Sequence, residues 1–132
     1  MICIISVIEK GDILGEKIKD ILGGDLILKS KIKNFKLDSI TKKCFEKYNS
    51  IIFISSTGIA VRAVSKYLVS KDKDPAVVVV DVCNKFSISL VSGHLGGANN
   101  LTLRVSEILG NIPVITTATD NMDIVAPDII AM

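Results

Sequence analysis

The chain has 132 residues, 48% of them hydrophobic but only 5% aromatic, with a net charge of +2. That is one domain's worth of polypeptide, long enough to bury roughly two-thirds of its unfolded surface. The core must be built from Ile, Val and Leu, and the net charge is too small to argue for nucleic acid.

Ile2 to Ile8 is an apolar run ending in Glu9-Lys10-Gly11, which reads as a strand and a turn. Ile13, Leu14, Ile18, Ile21 and Leu22 then fall on one helical face, and Gly23-Gly24 stops that helix. Asp25 to Lys29 is a short second strand. Asp38-Ser39 can cap a helix carrying Ile40, Cys44 and Phe45. Ile51-Ile52-Phe53-Ile54, within Ser50 to Ser55, is a third strand.

After Ser55-Ser56-Thr57-Gly58 comes an amphipathic helix pattern. Ile59, Ala60, Ala63, Val64, Tyr67 and Leu68 face one way; Arg62, Ser65, Lys66 and Val69 face the other. Pro75 ends a polar connection and forbids helix there. Ala76 to Val82 has buried-strand character, and Asn84-Lys85 is the expected turn of a hairpin. Phe86, Ile88 and Leu90 alternate with Ser87 and Ser89, as in a strand with two unlike faces. Beyond Ser92-Gly93-His94-Leu95-Gly96-Gly97, a helix is marked by Ala98, Leu101, Val105, Ile108 and Leu109 and closed by Gly110. Ile112 to Thr116 is a final strand leading into Thr117-Ala118-Thr119-Asp120.

This order predicts an α/β fold: an open, mostly parallel sheet with flanking helices and one antiparallel hairpin, in a single domain over residues 1–132. Strand order is not legible. If the sheet is parallel, Ser55 to Gly58, Ser92 to Asn99 and Thr116 to Asp120 all lie at its carboxyl edge, where open α/β sheets place ligands.

The first loop opens a helix whose unpaired N–H groups either are capped by Ser56 or Thr57 or hold an anion beside Gly58. Arg62, one turn in, is either a fixed cation or a surface arginine. In the second loop Gly93, Gly96 and Gly97 permit close backbone approach, and Asn99 stands in the first turn of the next helix. His94, the chain's one histidine, sits among these glycines rather than on an apolar face, which suits a general base near neutral pH. Ser92 lies two residues before it, a spacing that does not establish a nucleophile. In the third loop Thr116, Thr117 and Thr119 offer hydroxyls to an oxyanion and Asp120 can orient a histidine or water. The same residues also suit a turn bonded to its own backbone. The glycines match neither the dinucleotide nor the phosphate-loop motif.

The chain carries fourteen Lys/Arg against nine Asp/Glu in residues 1–74, and two against five thereafter. Lys29, Lys31, Lys33, Lys36, Lys42, Lys43 and Lys47 supply most of the excess, as a solvated face or as a basic rim for an anionic ligand. Cys3, Cys44 and Cys83 are far apart in sequence and form no zinc motif. Cys3 is expected to pack as a small hydrophobe, and a reducing cytoplasm fits better than secretion. Neither a signal peptide nor an apolar run of the roughly 20 residues needed to span a bilayer is read.

Four stretches resemble the CbiG family. They are Ser56-Thr57-Gly58-Ile59-Ala60-Val61-Arg62, Asp74-Pro75-Ala76-Val77-Val78-Val79-Val80-Asp81, Ser92-Gly93-His94-Leu95-Gly96-Gly97-Ala98-Asn99, and Ile115-Thr116-Thr117-Ala118-Thr119-Asp120. The resemblance implies an enzyme of anaerobic cobalamin synthesis. That enzyme opens the δ-lactone of cobalt-precorrin-5A and releases acetaldehyde, giving cobalt-precorrin-5B. Its substrate is a large, flat, multiply anionic corrinoid that brings its own cobalt, so no separate cofactor is expected. The resemblance carries over no catalytic residue; by their own chemistry His94 and Asp120 are the candidate catalytic residues. Ser56, Thr57, Gly58, Arg62, Ser92, Gly93, Gly96, Gly97, Asn99, Thr116, Thr117 and Thr119 are the candidate substrate contacts, with no metal ligands. Typical members continue into a further region and a C-terminal domain, so this chain is expected to be the N-terminal part. Expected partners are the corrinoid and a C-terminal CbiG domain or neighbouring enzymes of the pathway, with no nucleic acid or membrane. A corrinoid-binding module that positions or hands over the intermediate is the alternative. A general nucleotide or sugar-phosphate domain rests on fold analogy alone.

Overall fold

A computed structural model describes residues 1–93 and 96–118. Six strands form one sheet in the order β2-β1-β3-β4-β5-β6. They are β1 (Ile2–Ser6), β2 (Asp25–Leu28), β3 (Ser50–Ile54), β4 (Ala76–Val80), β5 (Phe86–Val91) and β6 (Ile112–Val114). The helices are α1 (Asp12–Leu22), α2 (Leu37–Lys47), α3 (Thr57–Val64) and α4 (Ala98–Leu109). The α/β reading, mostly parallel with one hairpin, holds.

The central strands are apolar on both faces because helices cover both. Ile4, Ile52, Ile54, Val78 and Val80 pack with Leu14 and Ile18 of α1 and with Ala98, Leu101, Val105 and Leu109 of α4. Cys3, Ile5, Ile51, Phe53, Val77 and Val79 pack with Cys44 of α2 and with Ala60, Ala63 and Val64 of α3. Cys3 is fully buried and packs as expected of a small hydrophobe. Of the face read for α1, Leu14 and Ile18 are buried, whereas Ile13 and Ile21 are exposed.

Two local expectations are corrected. Asp38 does not cap α2. That helix starts at Leu37, its N-cap Lys36 makes no side-chain cap bond, and Asp38 stands in the first turn. The Asp38 carboxylate accepts a hydrogen bond from Tyr67 Oη at 2.6 Å and pairs with Lys66 at 2.9 Å. A carboxylate in the first turn also suits the helix dipole. The second correction is that α3 stops at Val64. Ser65–Tyr67 tightens into a 3-10 turn, which leaves Leu68 and Val69 exposed.

The unlike faces of β5 are present, with the serines on the buried side. Ser87 and Ser89 lie under α4, whereas Phe86 is 40% exposed. Ser87 Oγ donates to Asn111 Oδ1 at 2.8 Å, and Ser89 Oγ to Asn99 Oδ1 at 2.7 Å. Buried hydroxyls persist because each finds a partner on or beside α4.

Direction within the sheet decides where the loops go. β1, β2, β3 and β4 are mutually parallel, with Ile54 of β3 beside Val80 of β4. β5 runs antiparallel to β4, pairing Val80 with Ser87 and Val77 with Val91. The hairpin between them is held by the Asp81 carboxylate, which accepts from the backbone N–H groups of Cys83, Lys85 and Phe86. β6 is parallel to β5 and therefore also runs against the first four strands. Among the described residues, no helix is long and apolar enough to cross a membrane.

A candidate site at the end of the reversed strands

The three loops do not converge. Ser55 to Gly58 follows β3 and lies at the edge formed by the carboxyl ends of β1 to β4. Ser92 and Thr116 follow β5 and β6, whose carboxyl ends lie at the opposite edge, beside the start of β4. A five-residue strand at roughly 3.3 Å per residue separates the two edges by about 15 Å. The expectation of one shared edge fails because the hairpin reverses β5, and the α4 crossover keeps β6 parallel to it.

At the first edge Ser56 is the N-cap of α3, its Oγ accepting from Ile59 N at 3.3 Å. The capping read for this loop is present. Thr57, Gly58 and Arg62 are exposed, and Arg62 Nη1 would lie 3.5 Å from a Cβ built on Gly58, so the guanidinium folds back over the first turn. Lys29 and Lys31, after β2, belong to this same edge. The basic segment therefore begins far from the glycine-rich loop.

At the second edge the backbone is unusual in a concentrated way. Ser92 has φ +59° although it is not glycine, and Gly97 has φ +88°. A non-glycine residue in the left-handed region costs on the order of 1–2 kcal/mol, and such strain gathers at functional sites. A Cβ on Gly96 would sit 2.4 Å from Ser92 Cβ and 2.8 Å from Ser92 O. One on Gly93 would sit 2.6 Å from Asn99 Oδ1. The loop thus folds back onto Ser92 at Gly96 and onto the Asn99 carboxamide at Gly93, and neither glycine leaves room for a side chain. The backbone N–H of Ala98 and of Asn99 close the turn onto the Ser92 and Gly93 carbonyls at 3.1 Å and 3.0 Å.

Asn99 ties this turn to two strands. Its Oδ1 accepts from Ser89 on β5, and its Nδ2 donates to Thr117 Oγ1 at 3.0 Å, just past β6. Ser92 is buried, and its Oγ donates to the Asp74 carbonyl at 3.3 Å, which joins the loop to the segment before β4. Ser92, Gly93, Gly96, Gly97, Asn99 and Thr117 are thereby brought together. Thr116 is exposed at the same edge. His94, Thr119 and Asp120 lie outside the described residues.

Sequence reading missed Ser89 and Asp74. The period-two serines of β5 were the available signal for Ser89. Asp74 acts through its backbone carbonyl, which no side-chain pattern announces. Through Asp74 the loop also borders an open groove of about 280 Å³, whose lining includes Phe45, Tyr67, Val69 and Pro75 together with Lys42 and Lys73. Beside it, hydrogen bonds from Tyr67 and Lys66 hold the Asp38 carboxyl below its usual range, and the same carboxylate pushes both Tyr67 and Lys66 up. Among the described residues, no group of three or more His, Cys, Asp or Glu could hold a metal ion.

Comparison with known proteins places these loops in a family context. Residues 39–120 match the model for "Cobalamin synthesis G N-terminal". The chain is similar to a cobalt-precorrin-5A hydrolase of Salmonella typhimurium, 49% identical over 90 residues, which is 68% of this chain and 26% of that protein. A cobalt-precorrin-5A hydrolase of Priestia megaterium is 50% identical over 76 residues, 58% of this chain and 20% of that protein. The chain thus aligns with only about a quarter of the length of these relatives. The fold resembles a crystal structure described as a cobalamin biosynthesis protein G homologue from Sulfolobus solfataricus. That match has TM-score 0.69 and 28% identity, over 98% of this chain and 43% of the other.

Proposed function

This chain belongs to the CbiG N-terminal family, and from that premise we propose that it holds the reacting end of the lactone in a cobalt-precorrin-5A hydrolase. Hydrolase chemistry is supported by the names of its relatives. The observation that carries the site assignment is the strained, glycine-packed turn at Ser92–Asn99, pinned through Asn99 to Ser89 and Thr117. Such bracing keeps a reacting group in one place, as positional catalysis requires.

In this reading a water attacks the lactone carbonyl while His94 takes its proton. Backbone N–H groups of the loop and the Thr117 region stabilise the oxyanion. Collapse of the tetrahedral intermediate breaks the ring C–O bond, and the imidazolium returns its proton to the departing alkoxide. Deprotonation of that hydroxyl then breaks the carbon–carbon bond. Acetaldehyde leaves, and the electron pair passes into the macrocycle, which takes up a proton. Cobalt enters as part of the substrate. Asp120 orients His94. The groove lined by Phe45, Tyr67 and Val69 receives one flank of the macrocycle.

The test is acetaldehyde release from cobalt-precorrin-5A under anaerobic conditions, with His94→Ala and a full-length relative beside it. Release that depends on His94 supports the hydrolase. Stabilisation by the corrinoid without release, while the relative is active, supports a binding module instead. Stabilisation by AMP or ribose phosphate but not by the corrinoid would overturn both.

A further inference from the structure

Two of the three cysteines meet in the core. Cys44 Sγ on α2 donates to Cys3 Sγ on β1 at 3.4 Å, and the pair is separated by 41 positions in sequence. Cys3 is 0% and Cys44 2% exposed. Cys83 is exposed and lies in the β4–β5 hairpin. Nothing in the proposed reaction uses any of the three.

We propose that Cys3 and Cys44 form a latent disulfide, a modification site that takes a small-molecule disulfide as its oxidant and locks α2 onto the sheet. The geometry favours this pairing over any other. The two sulfurs are in van der Waals contact, and closing to a bond of about 2.05 Å needs a small shift of one helix against one strand. The alternative partner, Cys83, follows the carboxyl end of β4, whereas Cys3 lies near the amino end of β1. Of the two elements the helix is the less deeply embedded. Its N-terminus lacks a side-chain cap, and only Thr41 and Cys44 are buried along it.

The chemistry balances with one oxidant. One thiolate attacks a sulfur of the small disulfide and expels one small thiol, leaving a mixed disulfide. The second thiolate attacks that protein sulfur, forms the Cys3–Cys44 bond and expels the second small thiol. Two protons are released from the cysteines and two are taken up by the leaving thiolates. Contact with Cys44 and burial push the Cys3 thiol up, while the same contact lowers that of Cys44, and in the docked state both sulfurs are closed to a small-molecule disulfide. Reaction therefore follows partial lifting of α2, which exposes both groups together.

The experiment uses the whole chain as the Cys83→Ser variant, incubated with oxidised glutathione, alkylated in denaturant and peptide-mapped. The expected result is loss of two hydrogens in mass and one linked peptide pair containing Cys3 and Cys44. Oxidation should quicken in denaturant well below the unfolding transition. The bond closes a loop of roughly 40 residues, so the melting temperature should rise by on the order of 10 °C and return on reduction. Cys44→Ala in the same background should give neither the link nor the rise. The proposal is overturned if Cys3 and Cys44 are both recovered alkylated, or carry only separate glutathione adducts, under conditions that fully modify Cys83 in the unaltered chain.

Discussion

Asn99 Nδ2 donates to Thr117 Oγ1 at 3.0 Å, while the same carboxamide accepts from Ser89 Oγ at 2.7 Å. One side chain at the start of α4 therefore joins the glycine-rich turn to β5 and to the segment that follows β6. Asn99 is 6% exposed, so water cannot replace these bonds freely.

Asn99→Ala should destabilise the fold by about 1–3 kcal/mol, because the buried Ser89 hydroxyl loses its acceptor. Chemical denaturation measures this. Corrinoid turnover should fall as well, because the turn loses its link to Thr117. Asn99→Asp keeps the shape and the acceptor but loses the amide donor, so it should retain the Ser89 bond and keep the Thr117 contact only if the threonine hydroxyl turns to donate.

Gly96→Ala places a methyl 2.4 Å from Ser92 Cβ and 2.8 Å from Ser92 O. Overpacking of that kind costs about 1–3 kcal/mol. Gly58→Ala meets nothing nearer than Arg62 Nη1 at 3.5 Å, so its stability should change by no more than about 0.5 kcal/mol. Melting curves of the two variants side by side check the contrast. Equal losses would mean that the tight turn is not the constraint.

His94→Ala should lower lactone opening by about 10²–10⁴-fold if the imidazole is the base. Arg62→Ala, at the other edge of the sheet, should stay within about twofold, as expected of an exposed position. Comparable losses at both positions would mean that the substrate reaches both edges.

Tyr48 donates a hydrogen bond to Asp25 Oδ2, and this bond pushes the phenol up from its ordinary value of 10.0. A proton held more tightly in the folded state stabilises it below the unfolded value, and that contribution is lost as pH rises through the folded one. Stability should therefore fall at strongly alkaline pH, and Tyr48→Phe should flatten that fall. Asp38 behaves oppositely. Hydrogen bonds from Tyr67 and Lys66 lower it, so its contribution is present above the ordinary carboxylate value and is lost on acidification through the folded one. Denaturation midpoints across pH for the two single variants separate the effects.

The sequence alone determined the elements and one pairing, the β4–β5 hairpin. Ile51-Ile52-Phe53-Ile54 and Ala76 to Val80 are apolar without alternation, and both became central strands covered on two faces. Gly110 closes α4 at φ +71°, as a C-terminal glycine should. The motif residues in Ser92–Asn99 were legible as a group because no packing pattern explains so many glycines around a histidine.

Only the tertiary structure decided which of these groups meet. Periodicity is local: it says that a segment is a strand, not which way the strand points in the sheet. The hairpin at Asn84-Lys85 was visible, and its consequence was global. Once β5 turns back, the α4 crossover carries β6 with it, and Ser92 and Thr117 land at the opposite edge from Ser56 and Arg62. The roles of Asn99, Ser89 and the Asp74 carbonyl follow from that same reversal. Each is satisfied by a partner far along the chain, which only the folded sheet supplies.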